Sequence, residues 1–321
     1  MKQLSVVAFL ALALNGTSAF SQSYPSKPIR IIVGAGPGSA PDVRARQIAA
    51  RFPEFLGQGL IVDNKVGALG VIAAEAAARA PADGYTLLLG TGPVFALNPW
   101  LFAKLPYRAE EDFTPITSVS KSYFLIVTNV NVPVSSISEL LQLARSQPGK
   151  LRFASTGDGS YAHLFMEGMK STQGIDAIHI PYKTSAAEFP DLVSGRVDIG
   201  IGPEAGYGPL IKAGKIKVLA VAGPNRKASL PNVPTLSEGG IQNFDVNAWV
   251  GVFSPTGTPV SVIRRLQTEI TKILNIPEVR TQIIDTGSDV GGESIEEFAA
   301  FVRADKTKWG KIIKDAKIEP R

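Results

Sequence analysis

The chain contains no cysteine and only two histidines, His163 and His179, among its 321 residues. Without cysteine it has no disulfide, no thiol nucleophile and no zinc-thiolate site, so its stability rests on burial of apolar surface. A metal-spaced His/Cys/Glu cluster, a G-x-S-x-G elbow and a phosphate loop ending in Gly-Lys-Ser/Thr are all missing. The serines have no base near them in sequence, and catalysis is not expected. Lys and Arg exceed Asp and Glu by 33 to 28, but they are scattered. A nucleic-acid surface would need them clustered. No apolar run reaches the roughly 20 residues of a membrane span.

What is present begins with an address. Lys2 precedes the apolar run LSVVAFLALAL at 4–14, and small residues including Thr17, Ser18, Ala19 and Ser21 follow. This reads as a secretory signal over residues 1–21, cut after Ala19 or Ser21. With no cysteine at the cut site to carry a lipid, the mature chain is expected free in the periplasm of a double-membraned bacterium.

The remaining chain alternates apolar β-branched runs with helical periodicity, which predicts a largely parallel sheet covered by helices. Its length allows two domains. The central stretch is 29–46, IRIIVGAGPGSAPDVRAR. It reads as a strand, a loop with Gly34, Gly36 and Gly38, and a helix start at which Ser39 caps and Asp42 reaches back to it. Such a turn collects N–H groups and can hold an anion. A dinucleotide site is a second reading, with Asp63 as the ribose acid, although Ser39 stands where G-x-G-x-x-G needs glycine. A tight turn without a ligand is the third. Val43, Ile48, Ala49 and Phe52 form the expected core face of this helix.

The same plan returns at 151–172. A strand ends at Ser155, then come Thr156, Gly157, Asp158, Gly159 and Ser160, and a helix starts at Tyr161. His163, one turn in, can donate to a ligand or hold the loop. His179 alternates within a strand and reads as structural. The tail is helical, with a second capping box at Ser294 and Glu297.

A long colinear set of motifs resembles one family. It comprises YPSKPIRIIV, GPGSAPDVRAR, DNKVGALGVIAAEAAARAPADGYTLLLGT, LNPWLF, DFTPI, PGKLRFASTGDGSYAHL, HIPYK, DLVSGRVDIGI, KAGKIKVLAV, LPNVPTLSEGG and AWVGVFSPTGTP. These segments resemble the Bug or TctC-like substrate-binding proteins of the tripartite tricarboxylate transporter system. The resemblance implies an α/β, two-lobed periplasmic binding protein fold of type II kind, each lobe a mostly parallel sheet flanked by helices, with a ligand cleft between lobes. Residues 22–122 and 241–321 would form lobe 1, and 123–240 lobe 2.

It also implies a small organic acid as ligand and membrane permease subunits as partners, with no nucleic acid and no cofactor, and the protein a monomer. Carried over by position, the ligand-binding residues are Gly38, Ser39 and Ala40, then Ser155, Thr156, Gly157 and Ser160. Thr91, His163, Tyr182, Lys183 and Thr184 complete the set. Two departures stand out. Ala40 and Pro41 replace small hydroxyl residues in the first loop. Thr184 and Ala187 replace the glycine and proline of the Tyr-Lys-Gly segment, with Glu188 next. Glu188 either faces the cleft, favouring a ligand ammonium or hydroxyl over a second carboxylate, or is solvated. A periplasmic sensor feeding a signalling kinase would use the same cleft, and a nucleotide-dependent oxidoreductase remains the other alternative.

Overall fold

The computed structural model describes residues 24–320, so the expected signal segment lies outside the described residues. Ten strands form one curled mixed sheet. β1 (Ile29–Val33) lies between β2 (Leu60–Asn64) and β3 (Thr86–Thr91), parallel to both. Successive side chains alternate across the sheet. Ile31 and Val33 therefore enter one core with Ile48 and Phe52, and Ile32 enters the other with Ala73 and Phe95.

The strand that organises the molecule is β4 (Phe113–Asn129), 17 residues long. The sequence reads as two separate apolar runs here, because the polar stretch between them looks like a break. From Phe113 to Tyr123, β4 pairs antiparallel with β9 (Asn247–Pro255), itself antiparallel to β3. From Phe124 onward it lies between β7 (Ile199–Pro203) and β8 (Ile216–Ala222), antiparallel to both. Outside β7, the strands β5 (Arg152–Ser155) and β6 (Ile178–Pro181) are parallel again. The outer strands thus carry the parallel pairing and the shared strand carries the antiparallel one. A short β10 (Asp289–Val290) pairs with β4.

Helices cover both faces. α1 (Ala40–Leu56) ends on Gly57, whose φ of 72° closes it, and α2 (Val71–Ala78) packs its alanines on the sheet. Three helices follow in order: α3 (Asn98–Leu101), α4 (Ile137–Ser146) and α5 (Tyr161–Gln173). α6 (Ser185–Ser194) and α7 (Glu204–Lys212) cover the second half of the sheet. α7 escapes sequence reading because Gly206, Gly208 and Pro209 all disfavour helix, and burial of Tyr207 overrides them. The tail holds α8 (Val260–Leu274), α9 (Pro277–Ile284) and α10 (Ile295–Asp315). The Ser294–Glu297 capping box is present as expected. α10 spans both halves: Phe298 and Val302 pack beside Trp249, whereas Trp309, Ile312 and Ile313 pack beside Phe165 and Phe244.

Candidate ligand cleft

Two adjoining chambers lie where the halves meet, and Leu69, Pro93, Tyr161 and Pro203 line both. The larger, about 670 Å3, is bordered by Gly38, Ala40, Val43 and Arg44 around the start of α1, and by Thr91, Ser120, Ser122, Trp249 and Ser288. The smaller, about 170 Å3, is bordered by Thr156, Gly159, Ser160 and Glu188. Val43, expected in the core, is 39% exposed and faces the larger chamber.

The first loop is tied down by its own acid. Ser39 occupies the N-cap position, but its side chain makes no cap. Pro41, within the first two helical positions, removes one of the amides such a cap would reach. Asp42 does reach back, to the amide of Gly38 at 2.8 Å, and it also accepts from Arg46 and Asn64 at 2.9 Å each. The hydrogen bond from Arg46 leads in holding this buried carboxyl down to about 2, helped by Gly38 and Asn64 against the opposing effect of burial. The Ser39 amide donates to the Gly36 carbonyl. A pyrophosphate at this turn would meet the Asp42 anion. Asp63 is engaged with Arg30 and Lys65.

The second loop is tied down by imidazole and hydroxyl groups. Ser160 caps α5 through the His163 amide, and the Gly159 amide donates to His163 Nδ1 at 3.2 Å. His163 therefore holds the loop. The Gly157 amide donates to Ser155 Oγ, which lies 2.6 Å from His179 Nε2. His179 stacks on Phe153 and lies 4.5 Å from His163, centroid to centroid. Burial lowers the pKa of both histidines. Asp158, His163 and His179 place possible ligand atoms within 4.8 Å of one another, a grouping that sequence spacing does not reveal. His163 Nδ1 is committed to an amide donor, which puts the proton on Nε2 and opposes metal ligation there.

The structure thus places Gly38, Ala40 and Thr91 on the larger chamber, and Thr156 and Ser160 on the smaller. Ser39 adjoins them. Ser155 and His163 brace the second loop and Gly157 lies within it, and none of the three borders either chamber. The Tyr182 hydroxyl turns to Asp191 at 2.8 Å, and Lys183 and Thr184 are exposed. Glu188 is 3% exposed, not solvated; it lines the smaller chamber and accepts from the Tyr207 hydroxyl at 2.5 Å. Burial pushes its carboxyl up to about 7.

Sequence reading missed Arg44, Ser122, Tyr161 and the 67–70 loop. In that loop Ala68 and Leu69 take positive φ values of 47° and 54°, which put Leu69 against both chambers. Backbone of this kind is held in place only by surrounding structure and gathers at functional sites. The Tyr161 hydroxyl sits where a side chain on Gly92 would be, so Gly92 is needed for this approach between the halves.

The model of the tripartite tricarboxylate transporter family receptor matches residues 44–318. The chain belongs to this family. A protein from the tcbD-tcbE intergenic region of Pseudomonas sp. strain P51 is 35% identical, the match covering 96% of this chain and 93% of that one. An R. palustris protein solved with adipate superposes with a TM-score of 0.79 at 33% identity, covering 93% of this receptor and 100% of that chain. MatC from Rhodopseudomonas palustris, solved with bound malate, gives 0.75 at 28% identity, with coverages of 90% and 100%. The receptor therefore has the two-lobed fold of this family of periplasmic binding proteins, which are solute-binding proteins.

Proposed function

We propose that this receptor captures a small organic acid in the periplasm, between its two lobes, and presents it to the membrane permease subunits of a tripartite tricarboxylate transporter. The observation that carries this reading is a set of buried hydroxyls around the cleft. Ser39 Oγ, Ser122 Oγ and Tyr161 Oη are all buried with no hydrogen-bond partner among the described residues. Such a group costs about 1–3 kcal/mol when it stays unmatched. A carboxylate, which only accepts, satisfies hydroxyl donors from both sides at once. The relatives solved with adipate and malate support the same ligand class.

In this reading residues 22–122 and 241–321 form one jaw and 123–240 the other. The change of β4 partners between Tyr123 and Phe124 supports a hinge there. Gly38, Ser39, Ala40 and Thr91 meet the ligand from the first jaw, and Thr156 and Ser160 from the second. Ser155, Gly157 and His163 support the second loop, and Tyr182, Lys183 and Thr184 form the outer edge of that jaw. The protein works as a monomer, binds without turnover and needs no cofactor.

A thermal-shift screen of the mature protein against mono-, di- and tricarboxylates, acidic amino acids, aromatic acids and NAD tests the reading. A ligand at ~100 times its dissociation constant adds about 2.7 kcal/mol of stability. A rise in Tm with one acid class is the expected result. A rise with NAD alone would overturn it.

A further inference from the structure

We infer that Arg44 is a carboxylate anchor in the larger chamber, so that the receptor takes a dicarboxylate in preference to the matching monocarboxylate. The inference rests on the carboxylate reading of the cleft and adds a second, charged subsite to it. Arg44 is 4% exposed and lines the chamber. Its guanidinium donates only to neutral oxygens: Ser120 Oγ at 3.3 Å, Gln47 Oε1 at 2.9 Å, Thr286 Oγ1 at 2.5 Å and Ser288 Oγ at 3.5 Å. No ion pair among the described residues involves it, and burial lowers its pKa. Neighbouring cations differ. Arg46 is matched by Asp42, and Lys121 by Glu293.

A buried charge without a counter-charge is among the most costly arrangements in a protein interior. It is relieved when an anion arrives, and the planar guanidinium fork suits a carboxylate. Three amide positions around the start of α1 are closed to a ligand. Gly38 N–H serves Asp42, Ser39 N–H serves Gly36, and Pro41 has none. Arg44 lies four residues beyond Ala40 on the same helix face, about 6 Å along the axis. One carboxylate at the Ser39 and Tyr161 hydroxyls and another at Arg44 would thus belong to a single extended ligand. The opposite, smaller chamber carries the buried acid Glu188 and is the wrong end for a second carboxylate.

Calorimetry with matched pairs, adipate against hexanoate and succinate against butyrate, tests this on the wild type, Arg44→Met and Arg44→Lys. The wild type is expected to prefer the diacid of a pair by roughly 10- to 150-fold, the range of hydrogen bonds to a charged group. Arg44→Met removes that preference and leaves monoacid binding in place. Its ligand-free Tm stays close to that of the wild type, because removal of an unmatched buried charge offsets the loss of four hydrogen bonds to neutral oxygens. Arg44→Lys keeps part of the preference, charge without the fork.

A wild type that binds both members of each pair equally overturns the anchor. So does a preference that survives in Arg44→Met, or a lower ligand-free Tm with unchanged selectivity, which would mark a structural strut. If Arg44→Met does not fold, an undiminished preference in Arg44→Lys overturns it. If no carboxylate of any class binds the wild type, the carboxylate reading falls and the anchor with it.

Discussion

The two glycine loops of the cleft share a plan and differ in what fills it. Each follows a parallel strand and leads into a helix. At α1 the amide of Gly38 is taken by a carboxylate of the protein itself, Asp42, and a cation without a counter-charge lies two residues on, at Arg44, which borders the larger chamber. At α5 the amides of Gly157 and Gly159 are taken by neutral groups, Ser155 and His163. A helix N-terminus is therefore not automatically an anion site, because the protein often satisfies those amides itself. What distinguishes the two loops is the side-chain chemistry that ties them down, a carboxylate at the first, hydroxyl and imidazole at the second.

The largest effect in this contrast is expected at Asp42. Asp42→Asn should cost about 1–2 kcal/mol at pH 7, a figure reduced because its partner Arg46 is half exposed. The folded carboxyl titrates near 2 against an ordinary 3.8, so its contribution is complete above about pH 4 and lost as pH falls toward 2. Urea titrations of variant and wild type should converge over that window.

Tyr161→Phe comes next. Removing a buried hydroxyl that has no protein partner should leave stability unchanged or slightly raised, and weaken ligand binding about tenfold. Equal affinity by calorimetry would mean that the second jaw holds the ligand without this group.

The histidines give the second loop its own pH window. Both have depressed pKa values, so they favour the folded state when neutral, and that contribution falls as pH drops below about 6.5. Protection factors over 155–160, taken against intrinsic exchange at each pH, should fall between pH 7 and pH 5, while the first loop stays protected until its acid titrates. Uniform exchange behaviour in the two loops would break the comparison.

The smallest effect concerns the mouth of the cleft. Lys227 donates to the Gly287 carbonyl at 2.6 Å and lies 3.3 Å from Glu204, joining 223–240 to the loop after α9. Lys227→Met is expected to weaken ligand affinity at least about two- to fivefold, the range of an exposed ion pair, because these two side chains are only 9% and 16% exposed.

The alternation of strands and helices, both glycine loops and the second capping box were legible in the sequence, because period, glycine and capping chemistry are local properties. The family was legible too, from colinear motifs. Three features were not. The continuity of β4 depends on partners on either side of Tyr123, and no local run reveals that one strand serves two halves. Glu188 looks like an ordinary surface acid until Tyr207, on a helix that sequence propensity rejects, closes over it. Arg44 is one arginine among scattered charges until Ser120, Thr286 and Ser288, 76 to 244 residues away, surround it without an acid.

The sequence by itself therefore determined the family, the fold class and which stretches make turns and helix starts. Only the tertiary structure decided which polar groups satisfy one another and which are left facing the cleft. The reason is physical: backbone conformation follows neighbours in the chain, whereas the free energy of a buried charge or hydroxyl depends on neighbours in space.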